Sequence, residues 1–274
     1  MMTSAPRTRR VTIADVAREA QTSTASVSYA LNGRPGVSPE TRERVLAVAA
    51  RLGWSPASAA RTLAGAGADT IGLVLAKHPR DLAVEPFYMQ FIAGVEATLS
   101  SRSMGLLLEI APDTAAETEA IRRWHGSRRV DGVLLTDLTM DDPRIAVVSE
   151  TGTPAVAVGD PRASGGLASV WTNDAEAMKA AVDHLVALGH RRITRVAAPL
   201  RYAYTAIRDE AFTAAARAAG VEFDVMRTDL SQDSGAAAAH ASLTSPRPPT
   251  ALLFDNDVMA VAALTTAHQV GLSV

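Results

Sequence analysis

Apolar residues near the N-terminus recur every three or four positions, which is the spacing that predicts amphipathic helices. Residues 11–55 contain three such stretches and no alternation typical of a strand. The stretches begin after Thr12, Ser23 and Ser38, whose hydroxyls suit helix N-caps, and Gly53 follows the third as a stop signal. The pattern therefore predicts a small three-helix bundle.

From residue 69 onward, short apolar runs alternate with amphipathic stretches. The runs cover residues 71–76, 105–111, 130–136, 154–159, 192–198 and 251–255. Helical patterns lie between most of them, and this alternation predicts parallel sheets with helices on both faces. Between the two regions, residues 57–65 favour helix but are too few to be stable alone, so we interpret them as part of a linker.

Charge is distributed unevenly along the 274 residues. Residues 1–65 hold nine arginines against four acidic residues, whereas the remainder has an acidic excess, so the net charge is only −2. A basic head on an acidic body is typical of a phosphate-binding module on a soluble carrier. An ordinary solvated surface would account for the charge equally well, so charge alone does not decide.

Composition narrows the class of protein further. The chain has no cysteine, which excludes disulfides and is compatible with a reducing cytoplasm. The basic N-terminus is not followed by the apolar segment of a secretory signal, and no run of about eighteen apolar residues exists. We therefore expect a cytoplasmic protein without a membrane span.

The second predicted helix carries the candidate chemistry. Its predicted outward face holds Thr24, Ala25, Ser28 and Tyr29, because these offsets group on one side of a helix. Methyl groups and a hydroxyl on such a face can contact thymine methyls and base edges in the major groove. Ser23, Ser28 and the helix N-terminus suit phosphates. A plain solvent-facing helix has the same pattern, so the helix pair is a weak signal by itself.

Two N-terminal segments, VTIADVAREAQTSTASVSYALNG (11–33) and VSPETRERVLAVAARLGWSPASAARTLAG (37–65), resemble the lactose-repressor/galactose-repressor (LacI/GalR) family. The resemblance continues through FYMQFIAGVE (87–96), VDGVLLT (130–136), AVDHLVALGHRRI (181–193) and PTALLFDNDVMA (249–260). It covers nearly the whole chain, which makes it far more specific than a lone motif.

The resemblance implies a small all-α helix-turn-helix head and an α/β periplasmic-binding-protein-like sensor body. On this reading the chain divides into a basic flexible tail (1–10), a helix-turn-helix DNA-binding domain (11–56), a hinge helix and linker (57–68), and a ligand-sensing α/β domain (69–274). The body would consist of two doubly wound parallel-sheet lobes with the ligand cleft between them.

The resemblance also implies a transcriptional regulator, by family default a repressor, that binds pseudo-palindromic double-stranded operator DNA as a homodimer. The residues that match the family's DNA-binding positions are Thr12, Ser23, Thr24, Ala25, Ser28, Tyr29 and Asn32 in the head, and Ala57, Ala60 and Leu63 in the hinge helix. Leu63 matches a leucine that wedges between base pairs and kinks the DNA. The alternative for Leu63 is a linker leucine packed on the body.

The effector implied by the resemblance is a small carbohydrate or a related polar metabolite. Arg208 and Asp257 match the family's effector-binding arginine and aspartate, and Phe87 and Tyr88 match aromatic positions that stack on the ligand. The alternatives are a structural ion pair for Arg208 and Asp257, and core packing for the two aromatic residues.

Four departures from the family pattern bear on these expectations. Gln21 stands in the helix-to-helix turn where the family usually has glycine, and Tyr29 replaces the commoner arginine. Residues 173–177 depart from the family's usual Asp-Asn-x-x-Gly, and Ala211 replaces a glycine in the arginine motif. The operator and the effector of this chain are therefore not readable from the family.

Rival functions find less support in the sequence. A transport protein would share the body but not the head. No G-x-G-x-x-G follows a strand-like run, and no G-x-S-x-G or zinc-helix motif is present, so we expect no enzyme activity, catalytic residues, cofactor or metal.

The position of the last residues, GLSV (271–274), gives one further expectation. In the resembling family this point is followed by segments that complete both lobes, so the resemblance implies a C-terminally truncated sensor. We expect such a product to have an open sheet edge, poor solubility, impaired dimerisation and weak operator binding. The alternative is that these 274 residues are part of a longer natural chain.

Overall fold

A computed structural model describes residues 11–54, 67–77, 82 and 85–274. The chain divides into two units, residues 1–68 and residues 69–274. In the described ranges no helix is both long and apolar enough to cross a lipid bilayer.

The first unit contains three short helices that begin where the capping residues predict. They are α1 (Ile13–Glu19), α2 (Thr24–Leu31) and α3 (Pro39–Arg51). Thr12 and Asp15 form a reciprocal capping box, and Ser23 and Ser38 accept backbone N–H bonds at the starts of α2 and α3. Their shared core consists of Val16, Ala17, Ala20, Val27, Ala30, Val45, Val48 and Ala49.

The turn between α1 and α2 contains a left-handed residue that is not glycine. Gln21 has φ +50°, and its N–H donates to Arg18 O at 3.2 Å while the N–H of Thr22 donates to Ala17 O at 3.0 Å. The turn therefore keeps the geometry that favours glycine, at a cost of about 1 kcal/mol for the side chain.

The second unit begins with a parallel five-stranded sheet. Its strands are β1 (Thr70–Ala76), β2 (Gly105–Ala111), β3 (Gly132–Leu135), β4 (Ala155–Val158) and β5 (Ala168–Val170), in the order β2-β1-β3-β4-β5. The connecting helices are α4 (Pro86–Ser100), α5 (Thr114–Gly126) and α6 (Pro143–Thr151), with one 3₁₀ turn over Pro161–Ala163. We call this part the first lobe.

A second parallel sheet forms the other lobe. Its strands are β6 (Arg192–Ala197), β7 (Glu222–Arg227) and β8 (Ala251–Phe254), in the order β7-β6-β8. The helices of this lobe are α7 (Asp174–Ala187), α8 (Ala203–Ala218), α9 (Gln232–Leu243) and α10 (Asp257–Gln269).

Each sheet has an apolar core on both faces, which confirms the predicted doubly wound class. In the first lobe α5 and α6 pack on one face around Trp124, and Tyr88 of α4 packs on the other face against Leu73 and Leu75. In the second lobe α7 and α8 cover the face of Ile193, and α9 and α10 cover the face of Val196. Alternate residues of one strand thus enter opposite cores.

One glycine fixes how closely α5 approaches the first sheet. A Cβ atom on Gly72 of β1 would lie 2.5 Å from the Trp124 ring, so any larger residue would push the tryptophan out of the core. Trp124 is fully buried, and its ring packs directly on the backbone of β1 at Gly72, so no space is left between α5 and the sheet there.

All six strand-like runs of the sequence contain a strand, but β5 and β7 were not predicted. β5 has three residues, and β7 is an edge strand with the sequence EFDVMR, whose polar members interrupt the apolar pattern. Neither strand presents a continuous apolar run.

Candidate functional site

The outward face of α2 is arranged as the helical offsets predict. Thr24 and Ala25 are exposed, and the Tyr29 side chain is 42 % exposed, whereas Val27 and Ala30 are buried against the other two helices. Ser28 is half-buried on the same outward side. A short helix with small polar groups and one phenol ring on its free face is able to enter the major groove.

Three other predicted contact residues flank this face and are bonded within their own helices. The Thr12 hydroxyl donates to Asp15 at 2.7 Å, and the Ser23 hydroxyl accepts the N–H of Ser26 at 3.0 Å. Asn32 ends α2, and its amide donates to the Ser28 carbonyl at 2.8 Å. All three are exposed, so they can reach phosphates as well as cap helices.

Two arginines of the basic head hold the ends of α1 and α2, a role that the sequence pattern did not predict. Arg42 of α3 donates to the carbonyls of Ala30 at 3.2 Å and Arg34 at 2.8 Å. Arg44 donates to Ala20 O at 3.0 Å, at the end of α1. Part of the basic excess therefore orients the helix pair, because these guanidinium groups satisfy helix-end carbonyls.

The predicted hinge residues Ala57, Ala60 and Leu63, and the basic tail 1–10, lie outside the described residues. Their roles in DNA binding stay predictions.

The second candidate site lies where the strand order reverses in each sheet. In the first lobe β1 and β3 are neighbours, and they lead directly to Lys77 and to Asp137. In the second lobe β6 and β8 are neighbours, and Asp255 follows β8. Ligands of parallel α/β sheets bind at the carboxyl ends of strands at such switch points.

Residues from the two lobes meet at these strand ends. Thr139 of the first lobe forms an isolated β-bridge with Tyr202 of the second, and the Ala203 N–H donates to Leu138 O at 2.8 Å. The Asn256 amide donates to Glu85 of the first lobe at 3.0 Å. The two lobes therefore meet at the carboxyl ends of both sheets, and we call this meeting region the interlobe cleft.

Lys77 forms a charged link across this cleft. Its ammonium lies 3.1 Å from the Asp137 carboxylate and 3.4 Å from the Tyr202 hydroxyl. It also lies 5.4 Å from the ring centre of Tyr88 and 4.9 Å from that of Tyr202, within the range of cation–π attraction. Asp137 and Tyr202 raise the pKa of Lys77, outweighing the burial that acts against its charge.

The predicted aromatic pair separates into a buried and an exposed member. Tyr88 is 5 % exposed, packs on Leu73 and Leu75, and donates its hydroxyl to Asp137. Burial, followed by the Asp137 charge, raises the pKa of Tyr88. Phe87 is 52 % exposed and stacks on Phe91 with ring centres 5.9 Å apart. The core-packing alternative therefore describes Tyr88, apart from its hydroxyl, better than it describes Phe87.

Arg208 forms an ion pair with Asp174, not with Asp257. Its guanidinium contacts Asp174 at 2.6 Å and lies 4.9 Å from the Tyr204 ring centre. Asp257 is an exposed residue at the start of α10, and within residues 85–274 no hydrogen bond or ion pair joins it to Arg208. Asp174 lies in the segment 173–177, which departs from the family pattern. That departure is the only feature of the sequence that draws attention to Asp174.

A buried charge network supports Arg208 from below. Arg195 of β6 is fully buried and forms a two-point contact with Asp255 at 2.8 Å, and it also donates to Asp209. Asp255 accepts the Ala198 N–H at 2.7 Å, and its backbone carbonyl accepts from Arg208 at 3.4 Å. The ends of β6 and β8 are thereby tied together under the cleft.

Comparisons with known proteins match both units of the chain. Residues 12–57 match the model for bacterial regulatory proteins of the lacI family, and residues 68–274 match that for periplasmic binding proteins and the sugar-binding domain of the LacI family. The HTH-type transcriptional regulator CelR of Thermobifida fusca is 34 % identical over 97 % of this chain and 79 % of that protein. RafR of Escherichia coli is 32 % identical over 86 % of this chain and 70 % of its own length.

Solved structures give the same picture. A lac repressor dimer bound to operator and the anti-inducer ONPF has a TM-score of 0.81 at 27 % identity, over 97 % of this chain and 80 % of that one. A CelR–cellobiose complex has a TM-score of 0.67 at 32 % identity, with the same coverage.

The fold and its two sites define a helix-turn-helix regulator with a two-lobed ligand-binding body. The chain belongs to the LacI family of bacterial transcriptional regulators.

Proposed function

We propose that this regulator is a repressor that reads a pseudo-palindromic operator as a homodimer and changes its operator affinity when a small carbohydrate enters the interlobe cleft. The observation that carries the proposal is the presence on one chain of an exposed α2 face and of two lobes that meet at their strand switch points. The first is suited to base edges and the second to a small polar ligand. Because its target is chromosomal DNA, we place its action in the cytoplasm.

Sequence preference is assigned to Thr24, Ala25 and Tyr29. They are the exposed side chains of the α2 face, and hydroxyl, methyl and phenol groups distinguish bases by hydrogen bonding and by contact with the thymine methyl. Thr12, Ser23, Ser28 and Asn32 are assigned to phosphates. Ala57, Ala60 and Leu63 are assigned to a minor-groove hinge, with Leu63 as the wedge.

Dimerisation is assigned to the apolar surface of the first lobe. Met89 of α4 is more than half exposed, and Leu108 and Ile110 lie exposed on the edge strand β2, against which α4 packs. Exposed apolar side chains concentrated in this way mark protein interfaces. The lac repressor that this chain resembles was solved as a dimer on its operator.

The carbohydrate assignment follows from the donors and aromatic faces at the cleft. Arg208, Asp174 and the exposed Asp257 offer charged partners for hydroxyl groups, and Tyr204 and Phe87 offer ring faces for a sugar. The CelR relative was solved with cellobiose. No residue is assigned a catalytic role, because regulation of this kind needs binding alone.

A genome-wide pull-down with the purified protein, repeated in the presence of candidate sugars, tests the proposal. We expect enrichment of a small set of fragments sharing one palindromic motif, and loss or gain of that set with one sugar. Enrichment without a shared motif would contradict operator binding. An unchanged set with every sugar tried, together with no sugar binding by calorimetry, would contradict effector control by carbohydrates.

A further inference from the structure

A second buried charge cluster lies in the first lobe, directly beneath the interlobe cleft. Arg144 of α6 is 2 % exposed, and its guanidinium contacts both oxygens of Glu117 at 3.1 and 3.2 Å and Asp142 at 2.6 and 2.8 Å. Glu117 is 3 % exposed and Asp142 is 5 % exposed. We call these three residues the Arg144 cluster.

The outer contacts of the cluster reach the two strand ends that carry the cleft charges. Glu117 accepts the N–H of Ala76, the last residue of β1 and the neighbour of Lys77, at 3.1 Å. Arg144 donates to the carbonyl oxygens of Thr136 at 2.9 Å and Asp137 at 3.4 Å. One guanidinium and one carboxylate therefore fix the backbone at both sides of the switch point.

Asp137 needs this support because its backbone is strained. It has φ +51°, a left-handed conformation that costs a side-chain-bearing residue about 1–2 kcal/mol. In that conformation its carboxylate accepts the Tyr88 hydroxyl and contacts the Lys77 ammonium. Lys77 in turn donates to Tyr202 of the second lobe. The Arg144 cluster therefore contacts the two strand ends, the strand ends carry Asp137 and Lys77, and Lys77 contacts the opposite lobe.

We propose that Arg144 and Glu117 are positioning residues for the interlobe cleft, which hold Asp137 and Lys77 where these side chains join the two lobes. An apolar pair would fill the same volume without the desolvation cost of buried charges, but it would offer nothing to the carbonyls of Thr136 and Asp137. That the contact between the lobes matters for effector control rests on the proposed function. The positioning of Asp137 and Lys77 by Arg144 and Glu117 does not depend on that function.

Amide hydrogen exchange in the effector-free protein tests the inference. The N–H of Ala203 donates across the cleft to Leu138 O, whereas the N–H of Val133 donates to Pro154 O inside the first lobe. In Arg144→Met we expect exchange at Ala203 to accelerate at least tenfold and clearly more than exchange at Val133. Arg144→Lys, which keeps the charge but loses the planar fork, should give a smaller effect in the same direction, and it carries the test if Arg144→Met fails to fold.

The matched control is Arg122→Met. Arg122 also joins α5 to α6, through Glu150 at 3.3 Å, but this pair is exposed and touches neither strand end. We expect the control to leave both amides at wild-type rates. Unchanged exchange at Ala203 in the Arg144 variants, or equal acceleration at Ala203 and Val133, would overturn the inference, since the cluster would then be only a stabiliser of the first lobe. Because no DNA or sugar is present, this result is independent of operator and effector binding.

Discussion

Gln21 shows how a single residue carries a cost that its neighbours offset. Its left-handed backbone is required by the turn between α1 and α2, and the caps at Thr12 and Ser23 fix the helices on either side. The resemblance to the family implies a glycine at this turn, and the positive φ confirms that the position needs a left-handed residue.

Gln21→Gly is therefore expected to stabilise the head. Removing the side chain relieves about 1 kcal/mol of backbone strain, part of which is lost to the greater freedom of glycine in the unfolded chain. Urea unfolding of the full chain, followed through the Trp54 indole signal, measures the change, because Trp54 packs on the core of the head. Gln21→Ala is the control and should gain little. A glycine variant no more stable than the alanine variant would contradict this account of the turn.

Arg208 is the residue whose loss should separate effector response from DNA binding. Arg208→Met removes a charge-assisted contact of the kind worth about 1.5–3 kcal/mol, so effector affinity should fall at least about tenfold. Operator affinity without effector should stay close to that of the wild type. Arg217→Met, an exposed arginine on the same helix, is the control. Calorimetry with a responsive sugar measures both variants, and unchanged affinity in Arg208→Met would place the site elsewhere.

At the scale of elements, the α2 face is expected to set the operator sequence. Replacing Thr24, Ala25 and Tyr29 together should change the motif selected from a randomised DNA library, because each lost base contact costs about 1–3 kcal/mol of discrimination. Replacing the exposed Arg51 of α3, which pairs with Glu19 at 2.8 Å, should leave the motif unchanged. If the triple variant selected the wild-type motif, another element would be reading the bases.

The Arg144 cluster, which joins α5 to α6, should make the free energy of unfolding depend on pH. Burial raises the pKa of Glu117 from 4.5 to about 7, despite the neighbouring Arg144, with Asp137 and Asp142 also opposing its charge. Between these values the folded state keeps a proton that the unfolded state has lost, so stability falls as pH rises and is then constant above about 7. The loss is about 3 kcal/mol, at 1.4 kcal/mol for each pKa unit.

Unfolding of wild type and Glu117→Gln from pH 4.5 to 8 measures this contribution. As pH rises to about 7, the free energy of unfolding of the wild type should fall relative to that of Glu117→Gln, and above that pH the difference should stay constant. Glu150→Gln, in the exposed pair with Arg122, should run parallel to the wild type throughout. A parallel Glu117→Gln profile would show that folding does not raise the pKa of this carboxyl.

Most elements were predictable because their local signals agree with their packing. The caps at Thr12, Ser23 and Ser38 start helices whose apolar faces meet in one core, and the strand-like runs supply residues to both faces of each sheet. The strand β7 was not predicted, because it lies at a sheet edge, where polar side chains stay exposed and are not desolvated. These polar residues interrupt the apolar pattern by which a strand is predicted.

The cleft was predictable only in part, because its contacts join residues far apart in the chain. Arg208 was identified, but its partner Asp174 lies 34 positions earlier in sequence, and the Lys77–Tyr202 contact spans 125 positions. The spacing of residues along the chain does not indicate which distant residues form such pairs. The left-handed Asp137 and the buried Arg144 likewise depend on how β1 and β3 become neighbours in the sheet.

At the scale of the whole molecule, the DNA-binding head and the ligand-binding lobes belong to separate units of one chain. The control of one by the other is a coupling free energy, which in such systems is typically about 1–3 kcal/mol, or about 5–150-fold in affinity. A ligand that binds both states of the body equally would produce no control at all, however tightly it bound.

The most direct test is a titration of the full chain against its selected palindromic operator at physiological salt, beside a scrambled duplex of the same length, with and without the responsive sugar. We expect the protein to bind the operator at least about a thousandfold more tightly than the scrambled duplex, and the sugar to change only the operator affinity, by at least about fivefold. Equal affinity for the two duplexes, or an operator affinity that no cleft ligand alters, would contradict the proposed function.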